Sequence, residues 1–179
     1  LNTARAYVDG AGADNTSALA IGGDPAPSGQ TELWNGTNWT EVNDLTTARA
    51  QMGAAGIATA ALAFGGYPIT GKTESWNGSN WTEVNDLNTG RSDPGGAGTN
   101  TAALAFGGYN GTARVAVTEV WNGTNWTEDG DLSTARNGLA GDGNTNTSAL
   151  AVGGEGPPVT AATEEWSGST IVTKTVSTD

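Results

Sequence analysis

Three pairs of glutamates recur along the 179-residue chain at one spacing: Glu32 with Glu41, Glu74 with Glu83 and Glu119 with Glu128. Each pair straddles an Asn-Gly dipeptide (35–36, 77–78, 122–123). Asn-Gly folds two strands back on each other, because both residues tolerate φ > 0. Folding about that turn sets the two carboxylates of a pair opposite one another. Carboxylates so placed could clamp a divalent cation, or act as the acid and nucleophile of a glycoside hydrolase. Like charges directly opposite also repel, so a cation is expected to neutralise one of them. Arg5, Arg49, Arg91 and Arg136 recur in the same phase, and a planar guanidinium fork matches a carboxylate. The expected arrangement is a structural ion pair in every unit, with the second glutamate solvated. Catalysis would need one asymmetric, partly buried pair with split pKa values, whereas these carboxylates repeat.

Composition removes other chemistries. The chain has no His and no Cys, so the Ser-His-Asp triad, thiolate zinc sites and most transition-metal sites are excluded, as are disulfides. Neither the spacing of a Ca²⁺-binding EF-hand nor an RTX-type nonapeptide is present, and no metal or other cofactor is expected. A net charge of −12 repels phosphate backbones and argues against nucleic acid as a partner. No apolar run approaches the ~20 residues that span a bilayer, and no signal-peptide pattern stands at the start. The chain opens on Leu1 rather than Met, as expected of a processed product or a segment of something longer.

The elements that must position these residues come from a four-fold repeat. Leu-x-Thr-Ala-Arg stands at 1–5, 45–49 and 132–136, with Leu-Asn-Thr-Gly-Arg at 87–91. An apolar run ending in a Gly pair follows each (17–23, 60–66, 102–108, 148–154), and then a Trp hairpin (31–42, 73–84, 118–129). The fourth hairpin, 163–174, is degenerate and carries Ile171 in place of the second Trp, as expected of a terminal repeat. Spacing is constant except between the Gly pair and Thr-Glu, which marks that stretch as a surface loop. Each unit is expected to form four short strands: one of Gly and Ala after the Arg, the apolar run, a strand ending at the first Trp, and a strand starting at the second. Trp34 then faces Trp39, Trp76 faces Trp81 and Trp121 faces Trp126, and these with Trp166 are expected to be structural, cross-strand aromatic pairs being stabilising. Exposed Trp stacking on sugar rings is the alternative. The Asn-x-Ser/Thr triplets at Asn35, Asn38, Asn77, Asn80, Asn122 and Asn125 fit turn chemistry better than glycosylation.

Four strands per unit of 42–48 residues is the size of a propeller blade. The units resemble Kelch repeats, in which a Gly pair closes the second strand, an aromatic ends the third, a Trp opens the fourth and a Leu-x-Thr-x-Arg link leads on. Their wording (ALAFGG, WNGTNWTEVNDL, NTAR) resembles Kelch-like repeats of predicted structural proteins of marine bacteriophages. The resemblance implies an all-β fold: one β-propeller of four four-stranded antiparallel blades (1–44, 45–86, 87–131, 132–179), alone or as part of a larger ring. In a small ring the innermost strand crowds the axis, which fits its Gly and Ala. No strand exchange between the ends is expected, since the first unit starts with its own inner strand. Some Kelch relatives are copper radical oxidases, whose His and Cys ligands this chain lacks.

The loops after the Gly pairs (24–30, 67–72, 109–117, 155–162) vary and carry uncommon residue types. Asp24, Tyr67, Lys72, Tyr109 and Arg114 are the candidate binding residues, because Tyr and Arg are enriched in binding hot spots. The expected function is a non-enzymatic structural or interaction module, on a virion or in an extracellular setting, with a protein or glycan surface as partner and assembly into oligomers compatible. A glycan-binding, lectin-like propeller is the alternative, and a carboxylate-dependent glycoside hydrolase stands behind both. The acidic surplus is expected to serve solubility and to protect sheet edges.

Overall fold

The computed structural model describes residues 1–156, 161–168 and 171–174. They form sixteen strands and, among the described residues, no helix. The first blade comprises β1 (Asp9–Asp14), β2 (Ser17–Ile21), β3 (Thr31–Trp34) and β4 (Trp39–Val42); the second β5 (Gly53–Ile57), β6 (Ala60–Phe64), β7 (Thr73–Trp76) and β8 (Trp81–Val84). The third comprises β9 (Gly95–Thr99), β10 (Ala102–Phe106), β11 (Thr118–Trp121) and β12 (Trp126–Asp129); the fourth β13 (Ala140–Thr145), β14 (Ser148–Val152), β15 (Thr163–Trp166) and β16 (Ile171–Lys174). Each blade is one antiparallel meander in chain order. The chain is a four-bladed β-propeller, with β1, β5, β9 and β13 innermost. The outer strand of the fourth blade runs from Ile171 to Lys174, where the sequence placed the second arm of its hairpin.

The Asn-Gly turns set the register. Trp34 stands opposite Trp39, Trp76 opposite Trp81, and Trp121 opposite Trp126, and the glutamate pairs face each other two residues further on. In each turn the Asn side chain caps the loop. Asn35, Asn77 and Asn122 accept the N–H groups two and three residues ahead at 2.9–3.0 Å.

The second strand of each blade alternates large and small residues, and that alternation builds the core. In β6, Leu62 and Phe64 point to one face, Ala61 and Ala63 to the other. The large face of one blade meets the small face and the tryptophans of the next. Leu19 and Ile21 cluster with Ala61, Ala63, Trp76 and Trp81; Leu62 and Phe64 with Ala103, Ala105, Trp121 and Trp126; Leu104 and Phe106 with Ala149, Ala151 and Trp166. A leucine of each link, Leu45, Leu87 or Leu132, closes the cluster. No blade hides its own apolar faces; its neighbours do.

Inner strands approach too closely for side chains. A Cβ on Gly96 would lie 2.3 Å from the Ala54 carbonyl oxygen, and one on Gly141 2.2 Å from that of Gly96. The Gly pairs have a second role. Gly65 has φ 66°, and a Cβ there would meet the Arg91 carbonyl at 2.5 Å, while the N–H of Gly66 donates to that same carbonyl at 2.8 Å. The pair thus forms a backbone bridge between blades.

Strand-opening tryptophans add side-chain bridges. The indole N–H of Trp81 donates to Thr31 Oγ1, and that of Trp126 to Thr73 Oγ1, both at 3.0 Å across a blade interface. The corresponding Thr118 Oγ1 is buried without a partner, because the next unit carries Ile171 and no indole. Thr118→Val is therefore expected to be neutral or to stabilise by up to about 1 kcal/mol, whereas Thr73→Val, which strands the Trp126 donor, costs about 1–2 kcal/mol. Urea unfolding of both variants checks the contrast.

Candidate functional site

The repeated charges are framework. Arg49 and Glu74 are fully buried and paired at 2.9 Å. The Arg49 Nη1 also donates to the carbonyls of Gly65 (2.8 Å) and Lys72 (2.6 Å), so one guanidinium ties the end of β6 to the start of β7. The other Glu74 oxygen accepts the Thr46 N–H at 2.6 Å. Arg5 with Glu32, Arg91 with Glu119 and Arg136 with Glu164 repeat the pair at 2.8, 3.1 and 2.8 Å. Burial by itself raises the Glu32 pKa, but the Asn2 N–H and Arg5 outweigh it and hold the carboxyl below the ordinary range. The opposite glutamates, Glu41, Glu83 and Glu128, are exposed. Both oxygens of Glu74 are engaged from within the fold, and the side chain is fully buried, so it presents no carboxylate to a substrate or metal arriving from solvent. Among the described residues no group of three or more acidic side chains is arranged to hold a cation.

The axis offers a channel of about 420 Å³ lined by β1, β5, β9 and β13, chiefly Gly and Ala with Asp142 and Asn144. Ile57, Thr99 and Asn100 complete the lining, and most of it is backbone and methyl groups.

One end of the axis is different. Four residues just before the inner strands, Tyr7, Gln51, Asp93 and Gly138, adopt left-handed φ of 49–61°. Their backbones are chained about the axis: the Gln51 N–H donates to Tyr7, Asp93 to Gln51 and Gly138 to Asp93, at 2.7–3.1 Å. Onto this end the variable loops fold back. Ala6 bridges to Asp24, Ala50 to Tyr67, Ser92 to Tyr109 and Asn137 to Glu155. All three tyrosines of the chain, Tyr7, Tyr67 and Tyr109, therefore share one end and are exposed there with Ile69.

No family model matches the chain, and no curated protein matches it either.

Of the residues singled out on the loops, Asp24 is half-buried, and Tyr67 and Tyr109 present their rings to solvent. The two cations do not stand free. Lys72 Nζ pairs with Glu83 Oε2 at 2.5 Å, and Arg114 with Glu155 at 3.1 Å and with the Asn137 amide oxygen at 2.8 Å. Both ion pairs lie at the surface, so mutually paired charges stay accessible at this end beside the exposed tyrosine rings. The open chain of bonds through Tyr7, Gln51, Asp93 and Gly138 escaped sequence reasoning, because four unlike residues share only a backbone conformation. Their constant place, two residues after each repeat arginine, was the one available signal.

Two carboxyls at this mouth are perturbed. Burial raises Asp9 from 3.8 to about 6, against hydrogen bonds from the N–H groups of Gly10 (2.7 Å) and Ala54. Asp93 is also raised by burial, against bonds from Asn137 and Gln51. A carboxyl with a raised folded pKa binds its proton more tightly when folded, so its contribution to stability is present below about pH 4 and is lost as the pH climbs to about 6. Asp9→Asn should thus leave stability nearly unchanged at low pH and raise it above pH 6. The gain is at most about 3 kcal/mol from the size of the shift, and less because Asp9 keeps some solvent access. Thermal melting of both proteins across that pH range measures it.

Proposed function

We propose that this propeller is a non-enzymatic interaction module that meets its partner with the axial end bearing Tyr7, Tyr67 and Tyr109. The observation that carries the reading is the gathering of every tyrosine onto one end, while the repeated Arg and Glu side chains are consumed by the framework. Rigid aromatic rings on variable loops over a regular scaffold suit recognition. The resemblance of the units to Kelch repeats, and of their wording to bacteriophage structural proteins, supports a virion or extracellular surface as the setting. The partner surface would be a protein, and the acidic net charge disfavours one rich in phosphate.

A lectin-like role is the second reading, favoured by the pairing of Lys72 and Arg114 with glutamates. Charges that already neutralise each other, beside exposed aromatic rings, suit a neutral sugar. A glycan array and a particle-binding assay, both run with the parent and with Tyr67→Ala/Tyr109→Ala, separate the readings. Particle binding that drops on the order of a hundredfold in the double variant, with a blank array, supports the protein-partner reading. Sugar binding lost in the same variant supports the second. Turnover of generic glycosides by the purified chain would overturn both.

A further inference from the structure

The propeller has two unmatched ends. Adjacent inner strands pack together from β1 to β5 to β9 to β13, but β13 and β1 make no comparable contact. The large face of the fourth blade is bare: Leu150 and Val152 are 39% and 41% exposed, where Leu62, Phe64, Leu104 and Phe106 are 0–3% exposed. Exposure along β14 alternates residue by residue, as for a sheet covered on one side only. On the first blade the complementary elements are bare. Leu1 is 44% exposed, whereas Leu45, Leu87 and Leu132 are 5% exposed, and Trp34 and Trp39 are half-buried where Trp76, Trp81, Trp121 and Trp126 are buried.

The polar groups at the two ends are unmatched in the same complementary way. Within the chain each interface carries a backbone bond from the second glycine of a pair to the next repeat arginine: Gly23 to Arg49, Gly66 to Arg91, Gly108 to Arg136. Among the described residues, the fourth blade leaves the Gly154 N–H without such an acceptor, and the first leaves the Arg5 carbonyl without such a donor. Among the same residues the axial chain of bonds stops at the Gly138 carbonyl on one side and the Tyr7 N–H on the other. Among the described residues the Trp39 indole has no acceptor like those of Trp81 and Trp126, while Thr163 stands on the fourth blade where Thr31 and Thr73 stand on theirs.

We infer that the bare face of the fourth blade docks the bare face of the first blade of a second copy of this chain, head to tail. The occupant is specified by the three interfaces within the chain, two of which carry the indole-to-threonine bond: the new contact sets leucine and valine under tryptophan and alanine, Gly154 N–H to Arg5 C=O, Tyr7 N–H to Gly138 C=O, and Trp39 Nε1–H to Thr163 Oγ1. A second copy supplies every one of these groups. Such a contact is heterologous, so it closes into a ring of chains or continues as a filament according to the turn per blade. Propellers and barrels remove open faces by closure, and here the closure runs between chains.

The test is sedimentation of the purified chain over a concentration series, with Val152→Asp on one face and Leu1→Asp on the other. The parent is expected at two or more times 17.9 kDa. Each variant alone is expected to be monomeric, its self-association weakened on the order of a hundredfold by a charge buried without a partner. Mixing the two variants restores a dimer, because one intact pair of faces remains between unlike chains. Both positions are exposed in the single chain, so circular dichroism and melting of the monomeric variants should report an intact fold. A parent that stays at 17.9 kDa throughout, an association lost on only one face, or a mixture that stays monomeric would each overturn the inference.

Discussion

Replacing Arg49 by methionine is expected to cost about 3–5 kcal/mol, the usual toll of leaving one member of a buried ion pair alone. Glu74 would keep the Thr46 N–H but lose its counter-charge, in a site without water access. The carbonyls of Gly65 and Lys72 would lose their donor in the same step. The loss should appear in urea as a lower midpoint at similar slope. Removing both charges in Arg49→Met/Glu74→Leu should be milder than the single change, because replacing a whole buried pair by apolar groups is often close to neutral. The coupling between the two positions is the informative quantity. A single-variant loss under about 1 kcal/mol would mean that the pair behaves as a surface contact and that the fold is held elsewhere.

Trp126→Ala is the second large effect, at about 3–5 kcal/mol. The ring lies edge-on to Phe64 of the preceding blade at 5.0 Å, tilts against Trp121 at 5.3 Å and bonds Thr73 through its N–H. Truncation opens a cavity at the joint between two blades and removes the donor to the Thr73 hydroxyl, which keeps only its long bond to the Gly71 carbonyl. Trp126→Phe should cost about 1–2 kcal/mol, most of it the lost hydrogen bond. Trp39→Ala, at the same place in the first blade, should cost less than half as much as Trp126→Ala when measured on the monomeric Val152→Asp background. Its ring is half-buried, and no blade stands beyond it in the single chain. Equal losses at the two positions would contradict the different surroundings of the first and third blades. The comparison also shows why stability here is shared between neighbours: each blade completes the one before it.

Much of the architecture was readable because the chain states it four times. The Asn-Gly dipeptides put Trp34 opposite Trp39 and Glu32 opposite Glu41, and the period of the Leu-x-Thr-x-Arg links gave the blades. The apolar runs before the Gly pairs were readable as strands, whereas the packing of their Leu and Phe against the Ala and Trp of the next blade shows only in the structure. Long-range partners were harder. Lys72 with Glu83, and Arg114 with Glu155, join exposed side chains whose meeting depends on loop paths that vary from blade to blade. The axial chain of hydrogen bonds runs through Tyr7, Gln51, Asp93 and Gly138, and no side-chain type marks it. The unequal ends were hidden for the opposite reason. Leu150 and Val152 look like their buried counterparts in sequence, and only the placement of the fourth blade shows that among the described residues no further blade covers them.

The claim on which the account rests is that the four units stand around a common axis. Amide hydrogen exchange read by NMR at Gln51, Asp93 and Gly138 tests it most directly, since these N–H groups find their acceptors only on the neighbouring blade. Strong protection at all three, lost together on unfolding, is the predicted result. Exchange at free-chain rates at these positions, with the strands of each hairpin still protected, would show units that fold singly or stack in a row, and would contradict the propeller.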